Sequence, residues 1–210
     1  MDINIKIGTV EKEPAEVVVF YLYEDVKTLS ESLGRCNKVL DNIVSEIIKE
    51  KGFVAKLNKT IILPTYGKIP ARRIMLVGLG KKKDATLDKI RQAAGTAACT
   101  IRDMGISEGA SVMDPIDIPF PISEWYQAYS EGALLALYRY QKYKTIPPEE
   151  RQELRALTLL VSGKEDLRPV QEAVKHGQII ADAVCFTRDL INTPSQDKAP
   201  GVLADTAKKL

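Results

Sequence analysis

Gly78-Leu79-Gly80 follows a short apolar run, Ile74–Val77, and precedes a helical pattern. That is the setting in which glycine-rich loops cradle phosphate at the start of a helix. The spacing stops short of a dinucleotide fingerprint, because Lys83 stands where a third glycine belongs and no acidic residue suitably ends a strand about 20 residues on. Two readings stay open: a loop of Gly78, Gly80 and Lys81 that takes a phosphate-bearing ligand, or glycines that permit a tight exit from the strand. His176 is the one histidine, and Glu172 is the only carboxylate among its neighbours three and four residues away. A metal ligand or catalytic base needs more convergent partners than that, so a packed or partly exposed helix histidine is expected. No serine sits in a Gly-x-Ser-x-Gly elbow, and no carboxylates converge as a two-metal site requires.

Tyr138-Arg-Tyr-Gln-Lys-Tyr-Lys144 interleaves aromatic and basic residues, a pattern that single-stranded nucleic acid can exploit by stacking and charge. The structural alternative is a continuing helix whose rings pack on a sheet and whose bases offset the negative helix end. Arg188-Asp189 near the junction is either a functional pair or, more simply, an interdomain ion pair.

The elements that would position these groups are legible in the hydrophobic pattern. Ile3, Ile5 and Ile7 alternate with polar residues as in a half-buried strand, and Val17–Tyr23 is a continuous apolar run covered on both sides. Leu29, Leu33, Cys36, Leu40, Ile43 and Ile47 step by four and three, which predicts one helix closed at Gly52, with Gly34 inside it costing about 1 kcal/mol. Phe53–Leu63 reads as a hairpin turning at Asn58-Lys59 and ending at Pro64. Further strands are expected at Ile74–Val77, Ala110–Met113 and Leu157–Val161, and helices at Leu87–Ile101 (finished at Gly105), Trp125–Tyr143 and Val170–Leu190. A Pro-rich loop spans 115–121, and Pro147-Pro148 stops any continuation beyond Tyr143. Alternation of short β-branched strands with helices predicts a layered α/β domain, a mixed sheet flanked by helices on both faces, ending near Ser162.

Composition bounds the rest. With 210 residues, 45% apolar and 28% charged, the chain has room for one good-sized domain and a remnant. No run of 18 apolar residues exists, and Asp2 stands where a signal peptide would need positive charge, so a cytoplasmic protein without a membrane anchor is expected. Cys36, Cys99 and Cys185 are odd in number and far apart, which suits reduced packing thiols. Charge is uneven: residues 51–102 carry 12 basic and 2 acidic groups, whereas 1–50 carry 6 and 10. The basic stretch, with Arg72-Arg73 and Lys81–Lys83, is either a DNA-binding surface or a solvated face balanced by acidic neighbours in space.

The chain ends in an unclosed pattern. Asn192-Thr-Pro-Ser195 is a breaker cluster, Pro200 suits a first helical turn, and Val202, Leu203, Ala207 and Leu210 give an apolar stripe in need of a partner. The expectation is the front part of a longer protein, cut just inside its next domain. Arg188-Asp-Leu-Ile-Asn-Thr-Pro-Ser195 resembles the junction segment of the leucyl aminopeptidase family, the two-metal cytosolic exopeptidases. Leu76-Val-Gly-Leu-Gly-Lys81 and the segment Glu131–Lys144 agree with it in order and spacing. Ala199 departs from the hydroxyl residue expected before Pro200, which weakens the helix cap by about 1 kcal/mol.

The resemblance implies a macro-domain-like α/β N-terminal domain over 1–162, a bridging helix and junction over 163–194, and the start of a catalytic domain over 195–210. It implies a parent enzyme that removes N-terminal residues from peptides, using two divalent ions (zinc, manganese or magnesium) held by a C-terminal domain, in a homo-hexamer. This chain would then hold no catalytic or metal-binding residue and no cofactor, and its first partner would be its own catalytic domain. The alternatives are a macro-type ADP-ribose or phosphate module at Gly78, Gly80 and Lys81, or a DNA-binding accessory domain.

Overall fold

The computed structural model describes residues 1–25, 27–112, 114, 120–145, 147, 152–161 and 167–208. The expected Pro-rich loop lies largely outside them, as do Met113, Pro148, the Ser162 boundary and Leu210.

Six strands form one sheet: β1 (Asp2–Ile7), β2 (Val18–Leu22), β3 (Thr60–Pro64), β4 (Arg73–Gly78), β5 (Glu108–Val112) and β6 (Ala156–Val161). Their order is β1-β6-β5-β2-β4-β3, all parallel except β3, which runs antiparallel to β4 at the edge. Period-two alternation divides the apolar runs between two cores. Val17, Val19 and Tyr21 with Met75 and Val77 face α3 (Leu87–Asp103), α4 (Ile122–Ala136) and α5 (Leu167–Asn192). Val18, Phe20 and Leu22 with Ile74 and Leu76 face α1 (Glu31–Val39) and α2 (Ile43–Lys49). A last helix, α6 (Pro200–Ala207), follows a 3-10 turn at Ser195–Asp197. The layered α/β architecture with a mixed sheet and helices on both faces is the one the pattern predicts.

On the three-helix face the packing is close enough to need glycine. A Cβ on Gly132 of α4 would stand 2.1 Å from the Arg91 carbonyl oxygen of α3, and one on Gly95 would meet Ala136 at 2.8 Å. A Cβ on Gly177 of α5 would meet the Gln127 carbonyl and Ser130, both on α4, at 2.8 Å. Beside this crossing, Arg91 Nε donates to the buried Glu131 carboxylate at 2.6 Å, and Gln127 Nε2 donates to its other oxygen at 2.8 Å. Toward the sheet, Trp125 stacks on Tyr129 at 5.7 Å and meets Tyr21 edge-on at 5.9 Å. The sheet-facing aromatics of this region are therefore Trp125, Tyr126 and Tyr129.

Three expectations are corrected. The single helix through Leu29–Ile47 is two, broken at Leu40–Asn42, where Asp41 and Asn42 take positive φ of 55° and 63°. Asn37, itself buried, accepts from the backbone N–H of Val44 (3.0 Å) and Ser45 (3.2 Å), and so caps the second helix from within the first. The break turns Val44 inward and leaves Ile43 38% exposed, although the unbroken spacing placed Ile43 on the apolar face. Closure also comes early: Lys51, not Gly52, takes the left-handed position at φ 58°.

The hairpin is β3 with β4, from Thr60↔Val77 to Pro64↔Arg73, rather than Phe53–Leu63. Residues 53–57 run beside the end of β4 instead, because Gly78 lacks the side chain that would exclude them. Finally, α4 ends at Ala136 and Tyr138–Lys144 is not helical. The Leu135 carbonyl, which a continuing helix would give to the Arg139 N–H, accepts from Arg188 Nη1 of α5 at 3.0 Å. The cation at the negative end of α4 thus comes from another helix.

Candidate functional site at the α4–α5 junction

Two of the segments singled out in the sequence, far apart in the chain, meet here. The Arg188 guanidinium that caps α4 also lies over the Tyr138 ring, 5.4 Å from its centroid. The Tyr138 hydroxyl donates to Asp189 Oδ1 at 2.8 Å and accepts from Asn192 Nδ2 at 3.1 Å. The Tyr140 hydroxyl lies 3.0 Å from Thr193 Oγ1, whose own proton goes to the Asp189 carbonyl at 2.7 Å. Tyr140 is therefore the donor of that pair. The Tyr143 hydroxyl donates to the Asp197 carboxylate, and Lys198 Nζ returns to the Leu190 carbonyl at 2.7 Å. The hydrogen bond to Asp197 holds the Tyr143 phenol well above its ordinary pKa, and desolvation raises that of Tyr138.

The spacing explains the match. Two residues of extended chain advance about 6.6 Å and four residues of helix about 6 Å. Tyrosines at 138 and 140 can therefore meet positions 189 and 193 in step. Beside these contacts lies a groove of about 470 Å³, lined among others by Tyr140, Phe186, Leu190, Asp197, Val202 and Thr206. Charged side chains line it as well, Arg139, Lys142 and Lys198 among them, while on α5 and α6 Ile191, Val202 and Leu203 are 71%, 49% and 41% exposed. Beyond Ala181, α5 has no fully buried residue. Arg188 and Asp189 are thus engaged with Leu135 and Tyr138. Sequence reasoning missed Thr193 and Asp197 as partners of the tyrosines; the signal was the pairing of a two-residue spacing with a four-residue one.

The glycine loop sits at the opposite end of the three-helix face. Gly80 takes φ 75°, which favours glycine, and a Cβ on Gly78 would stand 2.0 Å from the Lys56 carbonyl oxygen. The backbone N–H groups here are used internally: Gly78 donates to Lys59, Leu79 to Leu22 and Gly80 to Ala55. Lys81 is exposed, and the next N–H, of Lys82, donates to the Asp25 carboxylate at 3.0 Å; that bond lowers the pKa of Asp25. His176 is exposed on α5.

Basic residues of the 51–102 stretch pair with acidic ones from both flanks: Arg72 and Arg73 with Glu16, Lys68 with Asp41, and Arg91 with Glu131. The three cysteines are free, and burial pushes the Cys36 thiol up to about 12. Among the described residues, no three of His, Cys, Asp and Glu come together in a way that could hold a metal ion. No helix among them is long and apolar enough to cross a membrane.

Residues 17–147 match the cytosol aminopeptidase family, N-terminal domain. A probable cytosol aminopeptidase of Actinobacillus pleuropneumoniae serotype 5b is 28% identical over 211 residues, covering 100% of this chain and 42% of that protein. One from Sulfurihydrogenibium sp. is 30% identical over 100% of this chain and 41% of its own length, and one from Geotalea uraniireducens is 34% identical over 83% and 35%. The chain therefore spans less than half the length of these relatives. Among solved structures, a tomato leucine aminopeptidase mutant superposes with a TM-score of 0.78 at 21% identity, over 100% of this chain and 42% of that one. The bottromycin maturation enzyme BotP superposes at 0.69 and 24% identity, over 93% and 36%, and a BotP structure in complex with Mn is similar at 0.68. At these identities the superpositions show the fold, and it is the family match over 17–147 that shows descent: this chain belongs to the cytosol aminopeptidase family, whose N-terminal domain it carries.

Proposed function

We propose that this chain is the non-catalytic N-terminal domain of a two-metal leucyl aminopeptidase, an enzyme that releases N-terminal amino acids from peptides. One observation carries the reading. Every residue of the chain aligns with probable cytosol aminopeptidases, yet it accounts for 42% of their length. The exposed apolar residues of α5 and α6 support it, because a face of that kind is completed by a further packed layer.

In this reading residues 1–162 form the domain proper, 163–194 bridge, and 195–210 open the catalytic domain. The carboxylates that hold two zinc, manganese or magnesium ions belong to that domain. The whole enzyme is a cytoplasmic homo-hexamer, and this domain's own work is to present and shape the catalytic one.

The test is hydrolysis of leucine p-nitroanilide with each of the three metals supplied. The purified 210-residue chain should release no leucine, whereas a protein continuing through the catalytic domain should. Metal-dependent release by the 210-residue chain would sink the proposal.

A further inference from the structure

We infer that Tyr138, Tyr140 and Tyr143 form a clasp that fixes the direction in which the chain leaves α5. The inference stands on the junction's own contacts, whatever chemistry the whole protein performs.

The segment from Asn192 to Ala199 contains only the 3-10 turn Ser195–Asp197 between two helices. Its backbone bonds are local, such as Thr193 N–H to the Asp189 carbonyl and Asp197 N–H to the Pro194 carbonyl. Those bonds shape the turn without tying it to the domain. The ties are side chains, and they come in sequence. Tyr138 reaches Asp189, Tyr140 reaches Thr193, and Tyr143 reaches Asp197, each step four residues further along the departing chain.

The outer two acceptors are carboxylates, which make stronger hydrogen bonds than neutral groups do. The phenols are braced in turn. Arg188 lies over Tyr138, the Tyr140 and Tyr143 rings meet edge-on at 6.0 Å, and the Lys142 ammonium lies 5.5 Å from the Tyr143 centroid. Arg188 anchors the near end of the clasp to α4 through the Leu135 carbonyl. The tyrosines act as positioning residues. In an enzyme of the kind proposed above, they set the angle at which the following domain is held.

Amide hydrogen exchange on the protein carrying Tyr138→Phe and Tyr143→Phe tests this. Exchange over residues 189–198 should accelerate about 10- to 100-fold, while the amides of β2 and β4 keep their wild-type protection. A second variant, Asp189→Ala with Asp197→Ala, should loosen the same residues to a similar degree. The clasp is overturned if the phenylalanine variant exchanges within about twofold of wild type over 189–198. It is equally overturned if only the phenylalanine variant loosens, since the hydroxyls would then act through partners other than the Asp189 and Asp197 carboxylates. Exchange reads the clasp and leucine p-nitroanilide hydrolysis reads the enzyme assignment, so either can fail alone.

Discussion

Two glycines inside helices should respond to alanine with opposite signs. Gly34 in α1 has nothing within 4 Å of where a Cβ would stand, and its φ is not positive. Gly34→Ala should therefore stabilise the protein by about 0.5–1 kcal/mol through helix propensity and reduced unfolded-state entropy. Gly132 in α4 gains the same propensity but places its Cβ 2.1 Å from the Arg91 carbonyl oxygen and 2.5 Å from the Arg91 Cα. Backbone cannot rotate aside, so α3 and α4 must part by close to 1 Å, judged from the roughly 3 Å floor on such contacts. Overpacking of this kind costs about 3 kcal/mol, and the propensity gain of about 1 kcal/mol leaves a net loss near 2 kcal/mol. For a chain of this size, thermal unfolding should shift by about 2–4 °C per kcal/mol. Differential scanning calorimetry should find Gly34→Ala melting a few degrees higher and Gly132→Ala about 4–8 °C lower. The two sites lie on opposite faces of the sheet, so the double variant should melt near the sum. A Gly132→Ala protein that melts at or above wild type would refute the backbone-to-backbone crossing of these helices.

Other perturbations have equally definite outcomes. Arg91→Met leaves the Glu131 carboxylate buried without its cation, and urea unfolding should show a loss of about 3 kcal/mol. The raised Cys36 thiol makes the folded state bind its proton more tightly than the unfolded chain does, so its contribution is intact below pH 9 and is lost as pH rises toward 12. Stability should fall there with a slope of up to about 1.4 kcal/mol per pH unit from this group. Cys36→Ala should remove that slope, and an unchanged slope would discount the assignment. Ala199 starts α6 with extended backbone and no side-chain cap, so Ala199→Ser should stabilise that helix by about 1 kcal/mol. Amide exchange within α6 should slow about fivefold, and no slowing would mean that the helix start lies elsewhere.

What the sequence disclosed depends on how local the cause was. The runs at Val17–Tyr23 and Ile74–Val77 announced β2 and β4 because both faces of those strands are buried, which only a continuous apolar run can satisfy. The break after α1 was hidden because the apolar spacing runs straight through it, while its cause is the Asn37 side chain turning back to Val44 and Ser45. The end of α4 was hidden for a stronger reason: Leu-Tyr-Arg-Tyr contains no breaker, and the carbonyl that stops it is claimed by Arg188, more than 50 residues away. The junction was half legible. Its two segments stood out as motifs, but spacing within either one could not reveal that they face each other.

Gly177 packs α5 against α4 near the middle of the long helix, and Ala181 is the last residue fully buried. From Gly177 to Asn192 the helix runs on for about 22 Å at 1.5 Å per residue, half-buried or exposed at every position after Ala181. Seated at Gly177 and tied near its end at Arg188 and Asp189, it is a lever held at two points: without the second, a tilt of 5° where Gly177 seats would carry Asn192 sideways by about 2 Å. That is roughly two-thirds of a hydrogen-bond length. The fit of a Cα that bears no side chain, in the middle of one helix, therefore sets the coarse aim of its far end, and the clasp holds what that fit has aimed.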